Sequence, residues 1–98
     1  MFEISTGERG IIVFIGRLDA AQCAKAQAHL DVAPDPREFD FTALEYISSA
    51  GLGLLLKAHK RLMAGGGRLR LVGVNNHIYD IFRYSGFDQV FEVERSEG

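Results

Sequence analysis

Tryptophan is absent from this sequence of 98 residues, cysteine occurs once and proline twice. A single thiol, Cys23, can close no intramolecular disulfide and cannot build a zinc site by itself. No stretch approaches the roughly 18 consecutive apolar residues that a membrane-spanning helix needs. The opening MFEISTGERG lacks a basic run followed by an apolar one, so it does not read as a secretory leader. An excess of one charge is missing too. Eleven Lys+Arg stand against 13 Asp+Glu, a net charge of −2, which argues against nucleic acid as main partner because phosphate neutralisation needs a basic face. These absences point to a cytoplasmic domain with no metal and no membrane partner.

What is present is an ordinary globular composition, 47% hydrophobic and 24% charged. The length allows one domain, residues 1–98, and no separate cofactor-binding half, so no cofactor is expected. A core is possible but modest, since a chain of this size buries roughly 60–65% of its unfolded surface.

The pattern along the chain alternates strands and helices. Phe2–Ser5 predicts a strand, closed by a turn at Gly7-Glu8-Arg9-Gly10. Ile11–Ile15 is a continuous β-branched and aromatic run ending at Gly16, as expected of a strand buried on both faces. Asp19, with Gln22 three positions on, predicts a capped helix over Ala20–Leu30, followed by a loop marked by Pro34 and Pro36. Glu38–Phe41 reads as a short strand with Phe39 and Phe41 on one face. The strongest helix starts near Ser49, with Leu52, Leu55, Leu56, Leu62 and Met63 at helical spacing opposite Lys57, Lys60 and Arg61. Gly65-Gly66-Gly67 ends it. Arg68–Val74 predicts a strand, Asn76 a cap for a helix over His77–Ser85 with Gly86 at its end, Val90–Val93 a last strand and Arg95–Gly98 a frayed tail. The fold class is α/β, a mostly parallel mixed sheet of about five strands in the order β-β-α-β-α-β-α-β, with an antiparallel N-terminal hairpin.

Chemistry concentrates at Tyr46-Ile47-Ser48-Ser49-Ala50-Gly51-Leu52. This segment follows a strand and opens the best helix, so its N–H groups are unpaired and point outward, and a hydroxyl there sits at the positive end of the helix dipole, where a phosphate is tolerated. Either Ser48 or Ser49 fits an N-cap. Gly51 and Gly53 weaken the first turns and call for compensation by close backbone packing or a partner surface. His59 falls within the apolar stripe and reads as a core or boundary histidine with one hydrogen bond; Cys23 reads as a small buried side chain. Ile47-Ser48-Ser49-Ala50-Gly51 lacks the first glycine of a hydrolase elbow, and the glycine triplet lacks the ending of a phosphate-binding loop, so no enzyme is indicated.

The block Asp40-Phe41-Thr42-Ala43-Leu44-Glu45-Tyr46-Ile47-Ser48-Ser49-Ala50-Gly51-Leu52 resembles the signature of STAS domains, in particular bacterial anti-sigma factor antagonists. Gly16-Arg17-Leu18-Asp19, Gly65-Gly66-Gly67 and Ile81-Phe82-Arg83-Tyr84-Ser85-Gly86-Phe87 extend the resemblance over nearly the whole chain. It implies a non-catalytic switch. The unmodified protein binds an anti-sigma factor that is a serine kinase and frees the sigma factor; phosphorylation of Ser49, with Ser48 as second choice, ends binding, and a phosphoserine phosphatase can reverse it. The implied partner surface is Arg17, Asp19, Ser48, Ser49, Ala50, Gly51 and Leu52, with Asp19 orienting the Ser49 hydroxyl. Three differences stand out: Ser48 where many relatives have Asp, Arg17 where many have Glu, and an end soon after Val93 where several carry another helix. Arg17 is expected to shift partner choice or steady a phosphate on Ser49. The same resemblance admits a STAS subunit docked on an ABC-transporter ATPase, or a switch in a secretion or motility pathway. A nucleotide-binding module rests only on the exposed helix start.

Overall fold

The computed structural model describes residues 1–34 and 38–96; Pro36 and the last two residues of the expected tail lie outside them. Five strands, β1 (Phe2–Thr6), β2 (Ile12–Leu18), β3 (Glu38–Ile47), β4 (Arg70–Val74) and β5 (Glu92–Arg95), alternate with helices α1 (Cys23–Val32), α2 (Ser49–Ala64) and α3 (Asn76–Ser85) after the first hairpin. The sheet runs β1-β2-β3-β4-β5. β1 is antiparallel to β2 and the other pairings are parallel, as the crossover lengths predict.

The usual right-handed connection between neighbouring parallel strands places each connecting helix on the same face of the sheet. Burial agrees. Ile12, Phe14, Leu18, Phe39, Phe41, Leu44, Ile47, Leu71 and Val74 are all buried, whereas Val13, Ile15 and Arg17 on the alternate positions of β2 are not. The expectation that β2 is buried on both faces is therefore corrected: with only one helical layer, the strand alternates. Phe14 is the hub of the core, its ring centroid 6.3 Å from Phe2, 4.9 Å from Phe39 and 5.0 Å from Phe41.

Several boundaries move, each for a tertiary reason. β2 does not stop at Gly16. The glycine sits inside the strand at φ +93°, where a Cβ would lie 2.2 Å from the Met1 carbonyl oxygen, and the next N–H, of Arg17, donates to that oxygen. β3 is ten residues long, not four; two register shifts against β2 break the period-2 signal past Phe41. β4 begins at Arg70, leaving Arg68 outside. In α2 the buried face is Gly51, Leu54, Leu55, His59 and Leu62, so Leu54 replaces Met63, which is 57% exposed. A single-turn segment, Ala20–Gln22, precedes α1, which starts at Cys23. Asn75, not Asn76, caps α3, its Oδ1 accepting from the Ile78 N–H at 2.8 Å. The last strand shifts to Glu92–Arg95 because Phe87–Gln89 forms a helical turn under α3. Nor does the chain fray at Arg95: the Ser96 N–H donates to the Val74 carbonyl and the Arg95 guanidinium lies 4.5 Å over the Tyr79 ring.

Candidate functional site

The carboxyl ends of β2 and β3 meet the start of α2, the region where open α/β sheets place their sites. The Ser48 N–H donates to the Leu18 carbonyl at 3.0 Å, joining the two strand ends. Ser48 is extended (φ −89°, ψ 172°), and its Oγ accepts from the Gly51 N–H at 3.2 Å. Of the two serines, Ser48 is therefore the N-cap. Ser49 begins the helix proper and is exposed, as is Ala50, while Gly51 is buried and Leu52 half-buried.

Asp19 caps the single turn that leads into α1, its Oδ1 accepting from the Gln22 N–H at 3.1 Å. The Cys23 Sγ donates to the Asp19 carbonyl at 3.3 Å. Burial raises the Cys23 pKa, the Asp19 charge raises it further, and a hydrogen bond with the Ser48 side chain opposes both. The thiol stays protonated, as a small packing residue would. Asp19, Cys23 and Ser48 thus form one linked group, and among the described residues none of the three is hydrogen-bonded to the Ser49 side chain.

Arg17 stands apart from that group. Its guanidinium lies 4.4 Å over the Tyr46 ring, and the two residues face each other in the β2–β3 register. Both belong to the alternate positions of their strands, on the face away from α2. The structure places Arg17 on the uncovered side of the sheet rather than against the serines. The sequence contained both residues, but only strand pairing makes them neighbours.

The two glycines of α2 have different reasons. A Cβ at Gly51 would come within 2.7 Å of Ile47 Cγ1 and 3.2 Å of Leu18 Cγ, so this position lets the helix sit directly on the strand ends. At Gly53 a Cβ would meet nothing within 4 Å. Gly53→Ala is expected to raise stability by about 0.5–1 kcal/mol in chemical denaturation, the helix-propensity difference; a loss would reveal an unseen packing demand.

His59 takes the core placement, one of the two expected, and departs from expectation in its hydrogen bonding. It is 5% exposed, yet its Nδ1 is buried without a hydrogen-bond partner, and the ring stands edge-on to Phe91 at 5.3 Å. Burial first, then the nearby Arg68 charge, lowers its pKa below the usual histidine value. Well above a pH of about 6.5 the imidazole is neutral in both folded and unfolded chains and pH has no effect through it. Below that, the unfolded chain takes up a proton that the folded chain refuses, so stability falls with pH until the folded pKa is reached, by at most about 1.4 kcal/mol per pH unit. Urea titrations between pH 7 and 5 should show this slope, and His59→Gln should flatten it.

Among the described residues no three His, Cys, Asp or Glu side chains gather into a metal site, and no helix is long and apolar enough to cross a membrane.

Comparison with known proteins agrees with this architecture. The family model described as "Mlab, STAS domain" matches residues 2–93. The anti-sigma factor antagonist BtrV of Bordetella bronchiseptica is 34% identical over 85 residues, covering 83% of this chain and 73% of that protein. A crystal structure of an anti-sigma factor antagonist from Thermotoga maritima superposes with a TM-score of 0.79 at 15% identity, over 97% of this chain and 86% of that one. The Bacillus cell fate determinant SpoIIAA, in its phosphorylated form, superposes with a TM-score of 0.60 at 24% identity, over 99% and 93% of the two chains. The one-layer helix cover, the serine-capped helix start at the strand ends and these matches together mean that the chain belongs to the STAS domain family, among relatives that are anti-sigma factor antagonists.

Proposed function

We propose that this protein is an anti-sigma factor antagonist that works by binding, with no catalysis of its own. Its unmodified form occupies a cytoplasmic anti-sigma factor that is also a serine kinase, and so releases the sigma factor. Phosphorylation of Ser49 by that partner ends the interaction, and a phosphoserine phosphatase restores it. The observation that carries this reading is the division of labour between the two serines. Ser48 is engaged as the helix cap, while Ser49 is exposed at the first turn, where the N-terminal N–H groups and the helix dipole favour an added phosphate. SpoIIAA, a structural neighbour, is known in a phosphorylated form. The partner surface is then the helix start from Ser48 to Leu52 together with Asp19, with Arg17 contributing from the uncovered face through its stack on Tyr46.

Incubation with the cognate kinase and ATP, followed by mass spectrometry, tests the assignment. Ser48→Ala should lose about 1 kcal/mol of stability with its cap and still accept one phosphate; Ser49→Ala should accept none. Phosphate on Ser48 in the wild type, or on neither serine, would overturn the reading.

A second reading keeps the other role that the STAS resemblance admits, a subunit of a transport complex. In it the same helix start packs on a transporter ATPase without phosphorylation. Co-purification with a membrane ATPase in place of a kinase would favour it.

A further inference from the structure

His59 and its surroundings lie toward the end of α2 opposite the proposed phosphorylation site. The His59 ring lines a pocket of about 300 Å³, together with Met63, Gly66, Gly67, Arg68 and Val90, a volume at the lower end for small-molecule sites. The two glycines add no side chain to its wall. Their N–H groups are turned back onto α2, Gly66 donating to the Met63 carbonyl at 3.0 Å and Gly67 to the Leu62 carbonyl at 2.8 Å. The loop is thereby held in shape without being able to supply donors to a ligand. Arg68 can: it is exposed and has no carboxylate partner among the described residues. Met63 and Val90 offer apolar surface on the same wall.

We propose that this pocket binds a small organic carboxylate, with its acid group on the Arg68 guanidinium and its apolar body between Met63 and Val90 against the His59 ring. The alternatives fit less well. An inorganic anion would satisfy Arg68 but leave the apolar wall uncovered. A cation would face Arg68, and no second ligating side chain accompanies His59. A nucleoside di- or triphosphate would bring several phosphates to a single guanidinium. The lowered pKa of His59 keeps the imidazole neutral at pH 7, so it adds a polarisable, nearly apolar surface and not a second charge.

The test is a two-dimensional amide NMR titration of the full chain with sodium benzoate, and in parallel with inorganic phosphate. Benzoate should shift the amides of Gly66, Gly67, Arg68 and Val90 and the His59 ring protons along one saturable isotherm, with a dissociation constant in or below the low millimolar range. Arg68→Gln, an exposed change that leaves the core intact, should weaken binding at least tenfold. Absence of saturable shifts at 20 mM benzoate, or shifts unaffected by Arg68→Gln, would overturn the proposal. So would phosphate matching benzoate in affinity, since that would mark a plain anion contact. Ser49→Ala should bind benzoate as the wild type does, so the outcome here is separate from that of the phosphorylation reading.

Discussion

Replacing Ser49 by glutamate is expected to weaken binding to the anti-sigma partner by about 30- to 1,000-fold, a loss of about 2–4 kcal/mol, while leaving the fold intact. The position is exposed, so the longer side chain displaces no core atom. At the first turn of α2 an acidic group is favourable for the helix itself, by about 0.3–1 kcal/mol. The free protein should therefore be as stable as the wild type or slightly more so. The penalty arises only on docking, when the carboxylate must lose water and meet a surface fitted to a neutral hydroxyl. A phosphate carries about −1.5 to −2 charge, against −1 for glutamate, so true phosphorylation should cost at least as much. Titration calorimetry or surface plasmon resonance against the cognate partner, with thermal melts of the free protein alongside, reads both quantities. Unchanged affinity for Ser49→Glu, with a normal melt, would mean that the helix start is not in the interface.

Phe14→Ala is expected to be the most destabilising single truncation in the core, by about 3–5 kcal/mol. Phe14 is completely buried and is the one ring that touches Phe2, Phe39 and Phe41, which come from β1 and β3 on either side. Its removal opens a cavity between three strands that the pleated sheet cannot close by relaxing. In a domain of this size, whose total stability is about 5–15 kcal/mol, a change of that order lowers Tm by more than about 12 °C. Val13→Ala, one residue earlier on the uncovered face, should cost less than about 1 kcal/mol. Urea denaturation of the two variants makes the comparison. Similar losses at both positions would mean that the uncovered face is packed against something, and that the one-sided core described above is wrong.

The elements themselves were legible in the sequence because their signals are local. The run Ile11–Ile15, the amphipathic stripe of α2 and the closing Gly86 each follow from spacing and backbone preference over a few residues. Where expectation and structure part, the deciding contact comes from elsewhere in the chain. Met63 shares the helical spacing of Leu62, but only the packing of α2 on the sheet makes Leu54 the buried residue and leaves Met63 in solvent. The last six residues of β3 show no alternation, since their register against β2 slips twice. Asn75 and Asn76 are equally good caps by type; the end of β4 selects Asn75, whose Nδ2 also donates to the Leu44 carbonyl at 3.0 Å.

The candidate site divides in the same way. The segment Ser48–Leu52 was legible as a helix start after a strand, and with it the chemistry of an exposed hydroxyl beside unpaired N–H groups. Which serine is spent on the cap and which stays free was decided by the Ser48 N–H bonding to Leu18 and by Gly51 seating the helix on Ile47. The place of Arg17 was decided by β2–β3 pairing, which stacks it on Tyr46 and turns it from the serines. Local chemistry follows from residue order because the backbone carries it within one turn or one strand. The division between buried and free groups does not, because it depends on which distant strand comes to lie alongside.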